Sequence, residues 1–228
     1  MEMRCCMRSS VGSLHFPMPD AIITCKRAMS GENPDTEAPQ PGGRSPAPGG
    51  LALVQAFMNT HFDLEADDHG ERLVSVTALT DWLTTHALLR GQRSLHAADL
   101  ERTITVREGL RALALANNHH DLNDRAVDAM RRASAGTRSE IHVEPAGPRL
   151  VIAVNAGVDA AIGALLAITA RAMINDTWTR LKACPGRACG WAFYDHSRNQ
   201  SARWCSMKVC GDREKARTYY QRKTALQD

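Results

Sequence analysis

The sequence has no run of eighteen uncharged apolar residues, the length a helix needs to cross a hydrocarbon layer, so no membrane span is expected. It also lacks the sustained apolar stretch of a secretion signal, since Met1 to Ser13 carries Arg4 and Arg8 but no h-region. A cytoplasmic location with no membrane partner is the expectation. Missing too are a Gly-rich phosphate loop, a G-x-S-x-G elbow and an H-E-x-x-H helix, so no catalytic residue is named and no enzyme is expected. His119-His120-Asp121 does not fill that gap. Two adjacent histidines on a helix point about 100° apart and cannot easily chelate one ion, which makes a polar helix end the better reading.

Cysteine is where the sequence is informative. Cys184, Cys189, Cys205 and Cys210 form two C-x4-C pairs separated by fifteen residues, a spacing that lets two tight turns present four sulfurs to one ion. Zinc is the expected cofactor, one ion per chain. Four thiolates saturate Zn²⁺ and leave no position for an activated water, so the expected role is structural. Buried free cysteines or disulfides are the alternatives. Metal binding to so small a module contributes on the order of 10 kcal/mol of apparent folding free energy, because the unfolded chain holds no preformed site. The other three cysteines, Cys5, Cys6 and Cys25, read as free thiols in a reducing compartment.

Residues 30–50 hold five of the ten prolines and five of the sixteen glycines, with no large apolar residue. Residues 1–50 therefore read as a disordered tail and linker, and Met29 stands as an alternative start. Order should begin at Leu51, where Leu51, Val54, Phe57 and Met58 fall at helical spacing. Further helices fit Val76 to Leu89, with Ser75 or Thr77 as cap, Ala97 to Asn117, and Leu122 to Ser134. The period then changes: Glu140 to Glu144 and Arg149 to Val154 flank Pro145-Ala-Gly-Pro148, which suggests a β-hairpin. Asp159 to Asn175 is rich in Ala and Leu with almost no charge and should be the most buried helix. The fold class is mainly α with a small β-hairpin: a helical N-terminal domain over 51–176, then a small C-terminal four-cysteine zinc finger over 177–228. No Gly/Pro linker separates them, and the residues after Cys210 read as a basic helix starting near Gly211 or Asp212.

Charge follows this division. From Leu181 to Asp228 ten Lys and Arg stand against four Asp and Glu, a net of +6; the whole chain carries +3, which leaves −3 for the rest. Positive charge concentrated on one small module suits an anionic partner, because each neutralised phosphate releases counterions. Solubility alone also accounts for such a bias.

The string from Cys189 to Arg213 resembles the CGNR zinc finger, through Phe193-x-Asp195-x-Ser197-Arg198-Asn199, Arg203-Trp204-Cys205-Ser206-Met207 and Cys210-Gly211-x-Arg213. Upstream, Leu51 to Thr60, Leu79-x-x-Trp82-Leu83 and Arg107-Glu108-x-Leu110-Arg111 are similar to the ABATE-type helical domain that accompanies this finger. Together the resemblance covers roughly 51–223. It implies a bacterial DNA-binding transcription regulator, described for the family as stress-responsive. Asp212 stands where the family name has Asn: either side chain caps a helix, but Asp would lose the donor that reads adenine. Gln200 and Ala202 stand where members carry Arg, so a shallower salt dependence is expected.

Arg198, Asn199, Arg203, Lys208, Arg213, Lys215, Arg217, Arg222 and Lys223 are the candidate nucleic-acid contacts. Arg198 and Arg203 come first, because they lie between the cysteine pairs where a metal would hold the backbone rigid. The alternative is that either arginine braces the finger against Asp195 or Asp212. Trp191, Phe193 and Trp204 could stack on bases, but Phe193 and Trp204 fit better as the small core beside the metal. DNA is the leading partner, with the helical domain sensing a small-molecule effector or mediating homo-oligomer assembly. A protein-interaction adaptor whose finger takes an acidic partner, and an RNA-binding protein, are the competing readings.

Overall fold

The computed structural model describes residues 40–62, 70–89, 94–145, 147–152 and 157–224. The first 39 residues of the expected tail, with Cys5, Cys6, Cys25 and Met29, lie outside the described residues. The described chain is mainly helical, with six α-helices and two small antiparallel hairpins. These are α1 (Leu51–Met58), α2 (Val76–Thr85), α3 (Ala97–Ala116), α4 (Asp124–Ala133), α5 (Gly157–Ile174) and α6 (Asp212–Thr224), with strands β1 (Ser139–Glu144), β2 (Gly147–Ile152), β3 (Leu181–Ala183) and β4 (Ala192–Tyr194).

Local chemistry sets the helix ends. The Ser75 side chain caps α2 by accepting from Ala78 N, and Asn123 caps α4 by accepting from Ala126 N, so α4 starts two residues later than its apolar pattern suggests. The α2 pattern runs to Leu89, but the helix stops at Thr85. Ala87 adopts φ +56°, and the N–H groups of Leu88 and Leu89 turn back to the Leu83 carbonyl. In the β1–β2 hairpin Pro148 pairs with Val143 and Glu144 with Gly147, so the turn is tighter than the Pro145–Pro148 expected.

The core forms where α1 meets α3, α5 and β4. Val54, Phe57 and Met58 of α1 lie against Leu79 and Leu83 of α2, Val106 and Leu110 of α3, and Ile162 and Leu165 of α5, all fully buried. Burying one such side chain stabilises by about 1.5–3 kcal/mol, so α1, with five of its eight residues buried, matters beyond its length. The composition of α5 predicts the most buried helix, yet it buries eight of eighteen residues and leaves Met173 and Ile174 exposed. By length and mean hydropathy α5 also meets the criterion for a membrane span. It carries Asp159, held by an ion pair to Arg102 on α3, and packs on α1 and β2 as a core helix does.

The second hairpin joins the two parts of the chain. Leu181, Ala183, Ala192 and Tyr194 turn into the helical core, whereas Phe193, with Trp191 and Cys184 at the hairpin end, belongs to a second, smaller core around the cysteines. One hairpin thus gives a wall to each core.

Candidate metal centre

Each cysteine pair sits in a tight backbone turn. Cys184 N donates to Trp191 O at 2.8 Å, continuing the β3–β4 ladder, and Cys189 N donates to Gly186 O at 2.9 Å. A Cβ on Gly186 would lie 3.1 Å from Cys210 Sγ, so its lack of a side chain lets the first turn close over the second. At the second turn a five-residue π-helical stretch, Met207–Gly211, leads into α6, with Cys210 N and Gly211 N both donating to Ser206 O.

The four sulfurs lie within 4.8 Å of one another, with Cys189 and Cys205 3.6 Å apart and Cys205 and Cys210 3.5 Å apart. A disulfide needs about 2.05 Å, and all four are free thiols. Tetrahedral thiolates about 2.3 Å from a common ion would be separated by about 3.8 Å, so the cluster fits such an ion. Packed this closely the thiols resist joint ionisation. Hydrogen bonds from Cys189 and Cys205 hold the Cys184 thiol far below its usual range. Those same bonds push Cys189 and Cys205 up, and burial pushes Cys210 up. A cation at the centre would resolve the conflict.

Side chains from the helical domain grip the finger by its backbone. Arg111, 4% exposed, donates to Gly190 O beside the first turn, to Met58 O at 2.7 Å and to His61 O at 2.9 Å. Glu108 bridges Arg111 and Arg107, and Arg107 forms a two-pronged pair with Glu71 at 2.8 and 2.6 Å. Burial alone would raise the carboxyls of Glu71 and Glu108, but the arginines hold both below their usual range. Asn59 pairs with both the N–H and the carbonyl of Ala192, at 2.7 and 2.9 Å. Asn118 Nδ2 donates to Ala183 O at 2.9 Å and to Arg203 O at 2.8 Å.

Asp195 organises the loop carrying Arg198 and Asn199. Its fully buried carboxylate accepts from Lys182 Nζ at 2.9 Å, from Ser197 N at 3.0 Å and Oγ at 2.6 Å, and from Ala202 N at 2.9 Å. Burial pushes this carboxyl up, but Ser197 and Lys182 outweigh it and hold it below the usual range. The cation that braces Asp195 is Lys182, not Arg198 or Arg203. Lys182 also donates to Gln200 O and Ala202 O, which closes the loop.

Of the expected nucleic-acid contacts, Arg198, Asn199, Arg203, Lys208, Arg213, Lys215, Arg222 and Lys223 are exposed. Arg217 is half-buried and paired with Glu214; Lys215 lies 3.5 Å from Asp212. Lys215 and Arg222 border a groove of about 310 Å³ between α6 and Trp204, with Tyr219 on its wall. Trp191 and Phe193 are buried, Trp191 edge-on to Phe62 at 5.0 Å, so neither offers a face to a base. Trp204 is half-buried, with the Arg203 guanidinium 5.6 Å from its ring centroid. The motif reading did not include Lys182, Asn118 or Arg44. Their partners are backbone carbonyls and one carboxylate distant in sequence, which leave no local pattern.

A helical domain and a four-cysteine finger share one hairpin, which makes this a two-part architecture rather than a free-standing finger. The chain belongs to the ABATE family, whose model, described as a putative stress-induced transcription regulator, matches residues 51–180. The model for the CGNR zinc finger matches residues 180–223. A search of curated proteins found no match to the chain.

Proposed function

We propose that the protein is a cytoplasmic, DNA-binding transcription regulator in which Cys184, Cys189, Cys205 and Cys210 hold one structural Zn²⁺ and the surrounding cations contact phosphate. The observation that carries this reading is the convergence of four sulfurs beside a braced loop on which Arg198 and Asn199 are exposed. An all-thiolate donor set selects zinc among abundant divalent ions and gives it no open position, so the ion's contribution is to fix the fold of the finger. Arg198 stands on a loop whose backbone is tied at four points to Asp195 and Lys182, and Arg203 is tied through its carbonyl to Asn118. Cations on a fixed backbone lose less entropy on binding than cations on a flexible tail.

The helical domain serves as the sensing or assembly half, and α3 is its connection to the finger. Arg111 and Asn118, seven residues apart on or just beyond that helix, hold the carbonyls of Gly190, Ala183 and Arg203 next to the cysteine turns. A shift of α3 would therefore move both. Exposed Tyr219 and Tyr220 on α6 support a second reading, single-stranded RNA, because exposed rings are stacking platforms.

The deciding experiment is binding of the intact chain to duplex DNA across a salt series, with single-stranded RNA as competitor. Salt-sensitive DNA binding that weakens in the Arg198→Ala, Arg203→Ala double variant supports the regulator. RNA that displaces duplex DNA at equal concentration favours the second reading, and no binding to either at low salt removes both.

A further inference from the structure

Residues 40–47 precede both matched segments and have the composition of a linker, yet they lie along the finger and are tied to both cysteine turns. Arg44 Nε donates to Cys205 O at 2.9 Å, its Nη2 donates to Trp204 O at 3.0 Å, and its guanidinium stands over the Phe193 ring, 4.9 Å from the centroid. At the upstream end, Gln40 Oε1 accepts from Trp191 Nε1 at 3.2 Å and from Gln55 Nε2 at 2.9 Å. Downstream, His196 Nε2 lies 3.2 and 3.1 Å from the carbonyls of Ser45 and Pro46. Both are acceptors, so Nε2 carries the proton. Ala47 is buried and donates its N–H to Gln55 Oε1 at 2.7 Å.

The two carbonyls that Arg44 holds belong to the peptide units on either side of the Cys205 Cα, so the guanidinium fixes the backbone from which that sulfur projects. Groups outside the ligand shell that orient a ligand change metal affinity by about 10–100-fold when removed. Lysine replaces this contact only in part, because an ammonium can donate to a carbonyl but lacks the planar fork that serves two carbonyls at once and stacks on a ring. We propose that residues 40–47 are a strap completing the metal centre, and that Arg44 is the positioning residue for Cys205. This rests on the reading of the four cysteines as a metal site and does not depend on what the finger binds.

The test compares the full-length wild type with the full-length Arg44→Met, Arg44→Lys and Gln40→Ala variants. Metal content is measured first, followed by the visible spectrum of the Co²⁺-substituted proteins and the rate of zinc transfer to a chromogenic chelator. The expected result is transfer about tenfold faster in Arg44→Met, an intermediate rate in Arg44→Lys, and altered Co²⁺ bands with the far-UV helical signal unchanged. Rates for Arg44→Met within about twofold of wild type, with superimposable Co²⁺ spectra, would overturn the strap while leaving the metal site standing. If Arg44→Met does not fold, Gln40→Ala decides by the same criterion. A wild type without bound metal overturns both the site and the strap.

Discussion

Asn118 and Arg203, 85 residues apart in sequence, are joined by a hydrogen bond of 2.8 Å from the Asn118 side-chain amide to the Arg203 carbonyl. The same amide nitrogen holds the carbonyl of Ala183, the residue before Cys184, so one buried side chain just past α3 ties together the entry to the first cysteine turn and the approach to the second. Asn118→Ala leaves two carbonyls without that donor and should cost about 1–3 kcal/mol. A lower thermal midpoint together with weaker nucleic-acid binding is expected, and Asn118→Asp should be worse, since it sets a negative charge against two carbonyl oxygens. A variant that unfolds at the wild-type temperature would remove Asn118 from the coupling.

Lys182 and Asp195 form the buried ion pair of the finger, with side chains 3% and 0% exposed. Lys182→Met strands a carboxylate in a low-dielectric site and should cost about 3–5 kcal/mol in denaturant unfolding. Replacing both partners with apolar residues should recover part of that loss. Equal destabilisation of the single and double variants would mean that the Ser197 and Ala202 contacts, rather than the charge pair, hold the loop.

Acid should weaken the fold in a defined direction. The carboxyls of Asp195, Glu71 and Glu108 all lie below their usual range in the folded protein. A carboxyl so depressed contributes stability that is complete above its unfolded value, near pH 4, and is lost as pH falls through the lower folded value. Urea midpoints, measured at fixed ionic strength, should therefore be level near neutrality and fall below about pH 4. In Lys182→Met the Asp195 carboxyl loses its cation, its folded value moves back toward the unfolded one, and its share of the fall should shrink. Thiolate sites release metal faster in acid, so the series needs saturating zinc.

The cations of the finger are not equivalent. Arg217 is half-buried and already paired with Glu214, whereas Arg198 and Arg203 are exposed. Arg217→Ala should leave the slope of log affinity against log salt nearly unchanged, while Arg198→Ala and Arg203→Ala should each lower it by about 0.9 on duplex DNA. A larger change at Arg217 than at the other two would shift the contact surface onto α6.

What the sequence disclosed and withheld follows from the range of the interactions. The cysteine cluster was legible because each ligand pair is a local turn with fixed spacing. Helices α1–α5 were legible because a buried stripe repeats every three to four residues, and Ser75 marked the start of α2; α6, which buries no residue, was legible only from the helix-start residues after Cys210. The β3–β4 hairpin was not, since its strands are three residues long and buried on both faces, which erases the alternation that betrays a strand. Residues 40–50 looked like linker because their attachment uses a guanidinium, an amide and main-chain groups rather than apolar side chains. The Lys182 partner of Asp195 was hidden for the same reason as the hairpin, since only its register brings them together. The burial of Arg107 and Arg111 was equally hidden, because their partners Glu71 and Gly190 lie 36 and 79 residues away along the chain.

The proposed function stands or falls with four thiolates holding one ion that sets the shape of the finger. Its most direct test is elemental analysis of the purified full-length chain, paired with X-ray absorption at the zinc edge. One zinc per chain in a four-sulfur shell at about 2.3 Å, lost in Cys205→Ser, is the predicted result. Substoichiometric metal in freshly purified protein, or a shell containing nitrogen or oxygen, would contradict it.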